Sequence, residues 1–160
     1  MKVIVTGSFD PITLGHMQII SYASQKYEKV YVVALVNEEK EYMFSMDEKK
    51  QLIEIATSHF ENVVADAYVG LTADYMHNNG IDHIIRGVRN ESDMEYEKIL
   101  AKKMKEFDEG FVTEIVVCDD KYCKISSTEV RNRIMNGEEI SNLVPSSTVS
   151  VIRSIIEKKR

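Results

Sequence analysis

The sequence predicts an α/β protein built on one parallel sheet of about five strands, with helices on both faces. Short apolar runs alternate with amphipathic segments along the whole chain, which is the pattern of strands joined by crossover helices. The run KVYVVALV at 29–36 is almost continuously apolar, as expected of a strand that is covered on both faces. No repeat, long linker or low-complexity segment divides residues 1–160, so a single domain is predicted.

The first half of the chain supplies three predicted strands, each followed by a helix. In chain order these are a strand at 2–5, a helix at 16–27, a strand at 29–36, a helix at 45–60, a strand at 62–69 and a helix at 72–80. Ser45 and Glu48 have the spacing of a capping box at the start of the second helix. Gly80 is placed to end the third helix.

The second half continues the alternation and closes with two helices. In chain order these are a strand at 82–87, a helix at 92–107, a strand at 111–118, a helix at 127–137 and a helix at 146–159. Ser92 with Glu95 and Ser126 with Glu129 predict two further capping boxes. In such doubly wound sheets ligands bind beyond the carboxyl ends of the strands, so the residues just after each strand are the candidates for function.

Composition limits the classes of partner. The formal net charge of −6 means that the surface as a whole does not attract nucleic acid, and any anionic ligand must be held by local basic groups. Cys118 and Cys123 are too few for a disulfide scaffold, which predicts free thiols and a cytoplasmic chain. No apolar run reaches the roughly 18 residues of a membrane span, so we expect no membrane partner.

The stretch VTGSFDPITLGH at 5–16 is the first candidate site. Gly7 permits a sharp turn at the strand end, and a helix that begins near Leu14 or Gly15 directs its unpaired N–H groups towards a phosphate. His16, in the first helical turn, can face the same phosphate. Taken alone, this short motif is more typical of an ordinary strand–turn–helix corner with a satisfied surface histidine than of a phosphate site.

Two arginines form the second candidate, in IIRGVR at 84–89. Arg86 and Arg89 follow a buried strand and are separated by Gly87, which lets a ligand approach the backbone. Arginine binds phosphate through two parallel hydrogen bonds, so a phosphate role is favoured over a solvated pair at the sheet edge.

A third candidate is the hydroxyl cluster in YCKISSTEVR at 122–131. Ser126, Ser127 and Thr128 stand at a predicted helix N-terminus, where they can either cap the helix or bind phosphate. Lys40, in the charged loop at 37–44, can meet a phosphate or be solvated. The chain has no P-loop or Gly-x-Gly-x-x-Gly motif, so those nucleotide-binding classes are excluded.

Taken together, these segments resemble one family. GSFDPITLGH is similar to the [HT]xGH signature of nucleotidyltransferases, and ISSTEVR is similar to their second signature. The stretch IIRGVRNESDMEYE at 84–97 resembles the Arg-Gly-Leu-Arg and Asp-Phe-Glu-Tyr-Glu segment of the bacterial phosphopantetheine adenylyltransferase family. The resemblance extends along nearly the whole chain and implies one nucleotidyltransferase domain with a Rossmann-like sheet.

The resemblance implies transfer of AMP from ATP to 4′-phosphopantetheine, giving dephospho-coenzyme A and pyrophosphate by direct in-line attack without a covalent intermediate. Mg²⁺ would be held by the ATP phosphates rather than by protein side chains. Coenzyme A is implied as a possible feedback ligand, and the assembly as a homohexamer. Two alternatives stay open: a different phosphate acceptor such as nicotinamide mononucleotide, or a nucleotide-binding protein without catalysis.

The resemblance also assigns roles to individual residues. His16 stabilises the transition state and acts with Lys40 and Arg89 in catalysis. The acceptor is bound by Ser8, Lys40, Thr72 and Arg86. ATP is bound by Ser8, Phe9, His16, Gly87, Val88, Arg89, Glu97, Tyr122, Cys123, Lys124, Ile125, Ser126, Ser127 and Thr128.

Overall fold

A computed structural model describes residues 1–118 and 121–160, and it confirms the predicted α/β architecture. The strands are β1 (Lys2–Gly7), β2 (Lys29–Val36), β3 (Val63–Val69), β4 (His83–Val88) and β5 (Val112–Val117). The helices are α1 (Leu14–Lys26), α2 (Met46–Thr57), α3 (Thr72–Asn79), α4 (Glu91–Phe107), α5 (Ser127–Met135) and α6 (Val149–Lys158), with short 3₁₀ helices at Lys121–Lys124 and Ser146–Thr148. Across the described part of the chain, none of the helices has the length and apolar composition that a membrane crossing requires.

The five strands form one parallel sheet in the order β3-β2-β1-β4-β5. β1 lies at the centre, where Val5 is in register with Val32 of β2 on one side and with Ile85 of β4 on the other. The chain builds outwards from β1 to β3 and then returns through α3 to start again at β4. The order therefore reverses between β1 and β4, and a Rossmann-like sheet binds its ligands at this switch point.

Apolar side chains alternate between the two faces of the sheet and form one core on each. Val3 and Val5 of β1 pack with α1, α2, α5 and α6, whereas Ile4 packs with α3 and Phe111 on the opposite face. This arrangement explains the continuous apolar run of β2, because both faces of that strand are buried.

Some of the helix caps predicted from the sequence are present in the structure and others are not. The capping box of Ser45 and Glu48 is confirmed, as is the left-handed Gly80 that ends α3 at φ 65°. The predicted Ser92–Glu95 box is wrong, because Asn90 caps α4 by accepting the Asp93 N–H. Asn90 comes almost directly after β4, so the helix starts before Ser92 can act as a cap.

The capping box predicted for α5 forms only by half. Ser126 is the N-cap and accepts the Glu129 N–H. The Glu129 carboxylate instead lies 3.3 Å from Arg133 Nη2, one turn further along the helix. An ion pair between residues four apart therefore takes the place of the second capping bond.

The prediction of free thiols is wrong. Cys118 and Cys123 form a disulfide, with their Cα atoms 5.8 Å apart. β5 ends at Val117, and the 3₁₀ helix at Lys121–Lys124 brings Cys123 back beside Cys118. The Cα separation lies within the span of a disulfide, whereas a sequence spacing of five does not by itself predict one.

Candidate active site

Two adjoining cavities open at the carboxyl ends of β1 and β4. The first, of ≈ 320 Å³, lies between the β1–α1 loop, the N-terminus of α1, the end of β4 and the start of α5. The second, of ≈ 290 Å³, lies between β1, α3 and α4. Thr6, Gly7 and Arg86 line both cavities. Two ligands bound in them would meet at these three residues.

The sequence-predicted site residues divide between these cavities. The first cavity is lined by Phe9, His16, Arg86, Gly87, Arg89, Cys123, Ile125, Ser126 and Ser127. The second is lined by Ser8, Thr72, Arg86 and Glu97. Neither cavity is lined by Lys40, Val88, Tyr122, Lys124 or Thr128. Residues assigned to ATP thus gather mainly at the first cavity and those assigned to the acceptor at the second, whereas Glu97 lies on the acceptor side.

The local structure at the start of α1 fixes the orientation of His16. Thr13 is the N-cap, and its hydroxyl accepts the His16 N–H at 3.3 Å. In return the Thr13 N–H donates to His16 Nδ1 at 2.9 Å. Because Nδ1 accepts a hydrogen bond, the proton of the neutral ring is on Nε2. The ring also packs against Phe9, with centroids 4.7 Å apart.

The environment keeps His16 neutral. Burial, and to a lesser extent the charge of Arg86, lowers the pKa of His16 from 6.5 to about 4. The side chain that lines the first cavity is therefore a neutral imidazole that can donate through Nε2. It offers a hydrogen bond to a ligand rather than a positive charge.

Two backbone positions close to His16 restrict which residues the β1–α1 segment can hold. Phe9 has φ 46°, a left-handed conformation that is rare outside glycine, and its side chain is buried. A Cβ on Gly15 would lie 2.9 Å from the Tyr122 carbonyl oxygen, so glycine is needed where α1 packs against the 3₁₀ helix.

Arg86 is held at the junction of the two cavities by a paired set of bonds. Its Nε and Nη2 atoms donate to the two Glu97 oxygens, each at 2.9 Å. Its Nη1 atom donates to the Thr6 hydroxyl at 2.8 Å and to the Thr6 carbonyl at 3.2 Å. Glu97 is almost fully buried, so its evident role is to orient the guanidinium.

Arg89 has a carboxylate partner that sequence reasoning missed. Its Nε and its backbone N–H both lie 3.1 Å from Asp93 Oδ2. The hydrogen bond from the Arg89 side chain is the largest cause of a lowered pKa at Asp93. Arg89 precedes the Asn90 N-cap and lies outside α4, so a helical spacing could not have signalled this pair; it forms because the chain turns between β4 and α4.

The hydroxyls at the start of α5 are engaged within the protein. Ser126 caps the helix, and Ser127 Oγ donates to the Pro11 carbonyl at 2.8 Å. Thr128 Oγ1 accepts from Arg131 Nη2 at 3.1 Å. The first backbone N–H groups of α5 have no acceptor within the helix, and residues 126 and 127 line the first cavity. α5 therefore offers these N–H groups to an anion, together with the Ser126 O–H, because Ser126 Oγ only accepts in its capping bond.

Lys40 is exposed in the loop that follows β2. The far end of this loop is fixed by Asp10, another residue that sequence reasoning missed. The Asp10 carboxylate accepts the N–H of Met43 at 3.0 Å and that of Phe44 at 2.9 Å. The loop bearing Lys40 is thus tied to the turn that carries Ser8 and Phe9.

Comparisons with known proteins identify the family of this chain. The cytidylyltransferase-like family matches the chain over residues 4–133. A phosphopantetheine adenylyltransferase of Bdellovibrio bacteriovorus is 40% identical over 95% of this chain and 95% of its own. That of Clostridium novyi is 40% identical over 97% of this chain and 94% of its own, and that of Corynebacterium diphtheriae 39% identical over 98% and 97%. The chain belongs to the phosphopantetheine adenylyltransferase family of cytidylyltransferase-like proteins.

Proposed function

We propose that this protein is an adenylyltransferase of coenzyme A synthesis. It transfers AMP from ATP to the phosphate of 4′-phosphopantetheine and releases pyrophosphate. Family membership supports this assignment. The observation that carries it in the structure is the pair of cavities that meet at Arg86, because a group transfer needs two substrates placed end to end.

The first cavity suits the triphosphate of ATP. The N-termini of α1 and α5 both border it, and Arg89 and His16 add side-chain donors. Hydrogen-bond donors from α1, from α5 and from the segment after β4 therefore converge on one space, which is the requirement for holding several phosphate groups.

The second cavity suits an acceptor with a long, weakly polar arm. Its walls include Leu35, Ile84, Leu100 and Met104, whereas Ser8 and Arg86 supply polar groups at the end nearest the first cavity. We assign the acceptor phosphate to that end and the arm to the apolar walls. Thr72 lines the same cavity, and Lys40 would reach the phosphate from its loop.

The chemistry needs little from a general base. The second pKa of a phosphate monoester is about 6, so the acceptor phosphate is largely dianionic at neutral pH and is itself the nucleophile. One of its oxygens forms a bond to the α-phosphorus of ATP, and the bond from that phosphorus to the β-phosphate bridge breaks, so that pyrophosphate leaves. His16 Nε2–H donates to the developing charge on the α-phosphoryl oxygens, and Arg86, Arg89 and Lys40 orient the two anions.

Mg²⁺ is the proposed cofactor, held by the phosphate oxygens of ATP. The donor set of the first cavity fits this arrangement, since its side chains and N–H groups bind phosphate oxygens and leave other oxygens for a cation. The nearby carboxylates of Asp93 and Glu97 are both engaged by arginines. When bound, the ion supplies further positive charge to the triphosphate.

Assembly, regulation and location are also proposals. A homohexamer is supported by large apolar side chains exposed on α4 and at the β5 edge, including Tyr96, Ile99 and Val117. Sedimentation velocity tests the hexamer, and a monomer would contradict it.

We further propose a cytoplasmic enzyme that coenzyme A inhibits by occupying the substrate cavities. Cell fractionation and inhibition kinetics test these two points.

A pyrophosphate-release assay with ATP and Mg²⁺ tests the function. We expect turnover with 4′-phosphopantetheine and none with nicotinamide mononucleotide or without an acceptor. Turnover with the mononucleotide alone would assign a different acceptor. ATP binding without any turnover would make the protein a non-catalytic nucleotide-binding protein.

A further inference from the structure

One lysine of α2 is buried beneath the loop that carries Lys40. Lys49 is only 1% exposed, and among the described residues its Nζ atom has no hydrogen-bond acceptor. Nζ instead lies 3.4 Å from the centre of the Tyr42 ring. Burying an ammonium group without an acceptor costs free energy, so the fold alone gives no reason for a lysine here.

Tyr42 joins the two ends of this loop, which we call the Lys40 loop (residues 37–44). Its hydroxyl accepts the N–H of Asn37, the first loop residue, at 3.0 Å. The Lys40 N–H donates to the Asn37 carbonyl, also at 3.0 Å. Lys40 therefore sits in a short turn whose base is closed by the same ring that covers Lys49.

The charges around Lys49 connect it to the turn that carries Ser8 and Phe9. Burial lowers the pKa of Lys49, the charge of Asp10 opposes that change, and the charge of Arg131 adds to it. Asp10 is the residue that accepts the Met43 and Phe44 N–H groups, and its carbonyl accepts from Arg131 at 2.9 Å. Lys49 thus lies between an anion that holds one end of the loop and an aromatic ring that holds the other.

We propose that Lys49 and Tyr42 are positioning residues that fix where the Lys40 ammonium group lies relative to the acceptor phosphate. An ammonium shielded from water interacts strongly with an aromatic face, so the pair resists rotation of the loop base. Any displacement of Tyr42 would leave Lys49 without this contact and would release Asn37 at the same time. The inference rests on the proposed function and on the role given there to Lys40.

A second anchor allows the pair to be tested without unfolding the loop. Lys159 of α6 donates to the Met43 carbonyl at 2.6 Å and to Glu48 Oε1 at 2.7 Å. Together with Asp10 it holds residues 43 and 44 independently of Lys49. Changes at Lys49 or Tyr42 should therefore affect residues 37–42 selectively.

Steady-state kinetics of the full-length Lys49→Met enzyme test the proposal, with exposed Lys50→Met as the matched control. We expect the KM for 4′-phosphopantetheine to rise about tenfold, because misplacement by a fraction of an ångström is costly, while the KM for ATP stays within about twofold. The thermal midpoint should not fall, since an apolar side chain replaces an unpartnered amine. Lys49→Arg, which keeps the cation, should restore the acceptor KM. An unchanged acceptor KM, or an equal rise in both KM values with a lower midpoint, would overturn the proposal.

Amide hydrogen exchange without substrates gives a readout that does not depend on activity. Lys49→Met and Tyr42→Leu should speed exchange at Asn37, while Met43 and Phe44 stay protected through Asp10. Tyr42→Phe, which keeps the ring but lacks the hydroxyl, should expose Asn37 without raising the acceptor KM as far as Tyr42→Leu does. Unchanged protection at Asn37 in both Lys49→Met and Tyr42→Leu would refute the positioning role. Absence of turnover in the unmodified enzyme would instead refute the proposed function.

Discussion

His16 contributes a neutral hydrogen-bond donor whose direction is set by Thr13. Since Nδ1 accepts the Thr13 N–H, Nε2–H is left to face the first cavity. We expect His16→Ala to lower kcat by about 100- to 1,000-fold, as loss of one preorganised donor to transition-state charge does. The KM for ATP should change by less than about threefold, because the other donors that line the first cavity would still hold a triphosphate there. Rapid-quench and steady-state kinetics check the split, and a loss of ATP affinity with unchanged kcat would contradict the role.

The pKa of His16 makes a second prediction at the residue scale. The value is lowered from 6.5 to about 4, so the folded protein binds this proton less readily than the unfolded chain does. The contribution of His16 to stability is therefore intact above pH 6.5 and is lost as the pH falls towards 4. NMR titration of the imidazole should give a midpoint near 4, with no inflection between pH 5 and 8. A midpoint near 6.5 would show that the ring is solvated.

The residues that line the first cavity were easier to predict from the sequence than the residues that hold them in place. Gly7, His16, Arg86 and Ser126 follow strands or begin helices, and a parallel sheet brings such positions to one edge. The pairing of Arg86 with Glu97 was not predictable in the same way. The pair joins β4 to the second turn of α4. Which helix face meets the sheet depends on packing that no local pattern encodes.

At the scale of elements, Glu114 of β5 ties the end of α1 to the sheet. It accepts from Lys26 at 2.8 Å and from His83 at 3.2 Å, and also from the hydroxyls of Tyr22 and Tyr27. Burial by itself raises the pKa of Glu114, but these hydrogen bonds, led by that from Lys26, outweigh it and lower the pKa to about 2. The carboxylate is thus bound in its ionised form by groups from α1 and β4.

Glu114→Gln should therefore destabilise the protein in a pH-dependent manner. A lowered pKa contributes stability above the unfolded value of 4.5, and this contribution is lost as the pH falls towards 2. Urea unfolding should show a deficit in the variant at pH 7 that shrinks steadily below pH 4.5. A deficit of the same size at pH 7 and pH 3 would mean that packing, not ionisation, carries the effect. Lys50→Met provides a comparison in which no such trend is expected.

The positions of helices and strands were predictable because apolar residues recur at a regular spacing over many residues. The ends of these elements were less predictable, because neighbouring residues compete for the capping position. The apolar run of β2 was placed with its bounds at 29–36. At α4, Asn90 and Ser92 are both good N-caps, and only the end of β4 decides between them. The Cys118–Cys123 disulfide likewise depends on how the chain turns after β5.

At the scale of the whole molecule, the reversal of strand order creates the two-substrate site. β1 pairs with β2 on one side and with β4 on the other, so the loops after β1 and β4 diverge to opposite faces. α1 and α5 border the first cavity on one face, and α3 and α4 border the second on the other. The sequence predicted this sheet but not that Thr6, Gly7 and Arg86 would form the shared boundary of two separate cavities.

This geometry makes a prediction about the product. Dephospho-coenzyme A carries both the adenylyl group and the pantetheine arm, so one molecule should fill both cavities and cross the boundary at Arg86. A ligand that binds only the folded state raises its stability by mass action, with about 2.7 kcal/mol at 100 times the Kd. We expect the product to raise the thermal midpoint of His16→Ala as much as that of the unmodified enzyme, because the role proposed for His16 is confined to the transition state. The product should also displace ATP and 4′-phosphopantetheine in competition binding. Simultaneous binding of ATP and the product, seen as additive thermal shifts, would contradict a site in which one molecule spans both cavities.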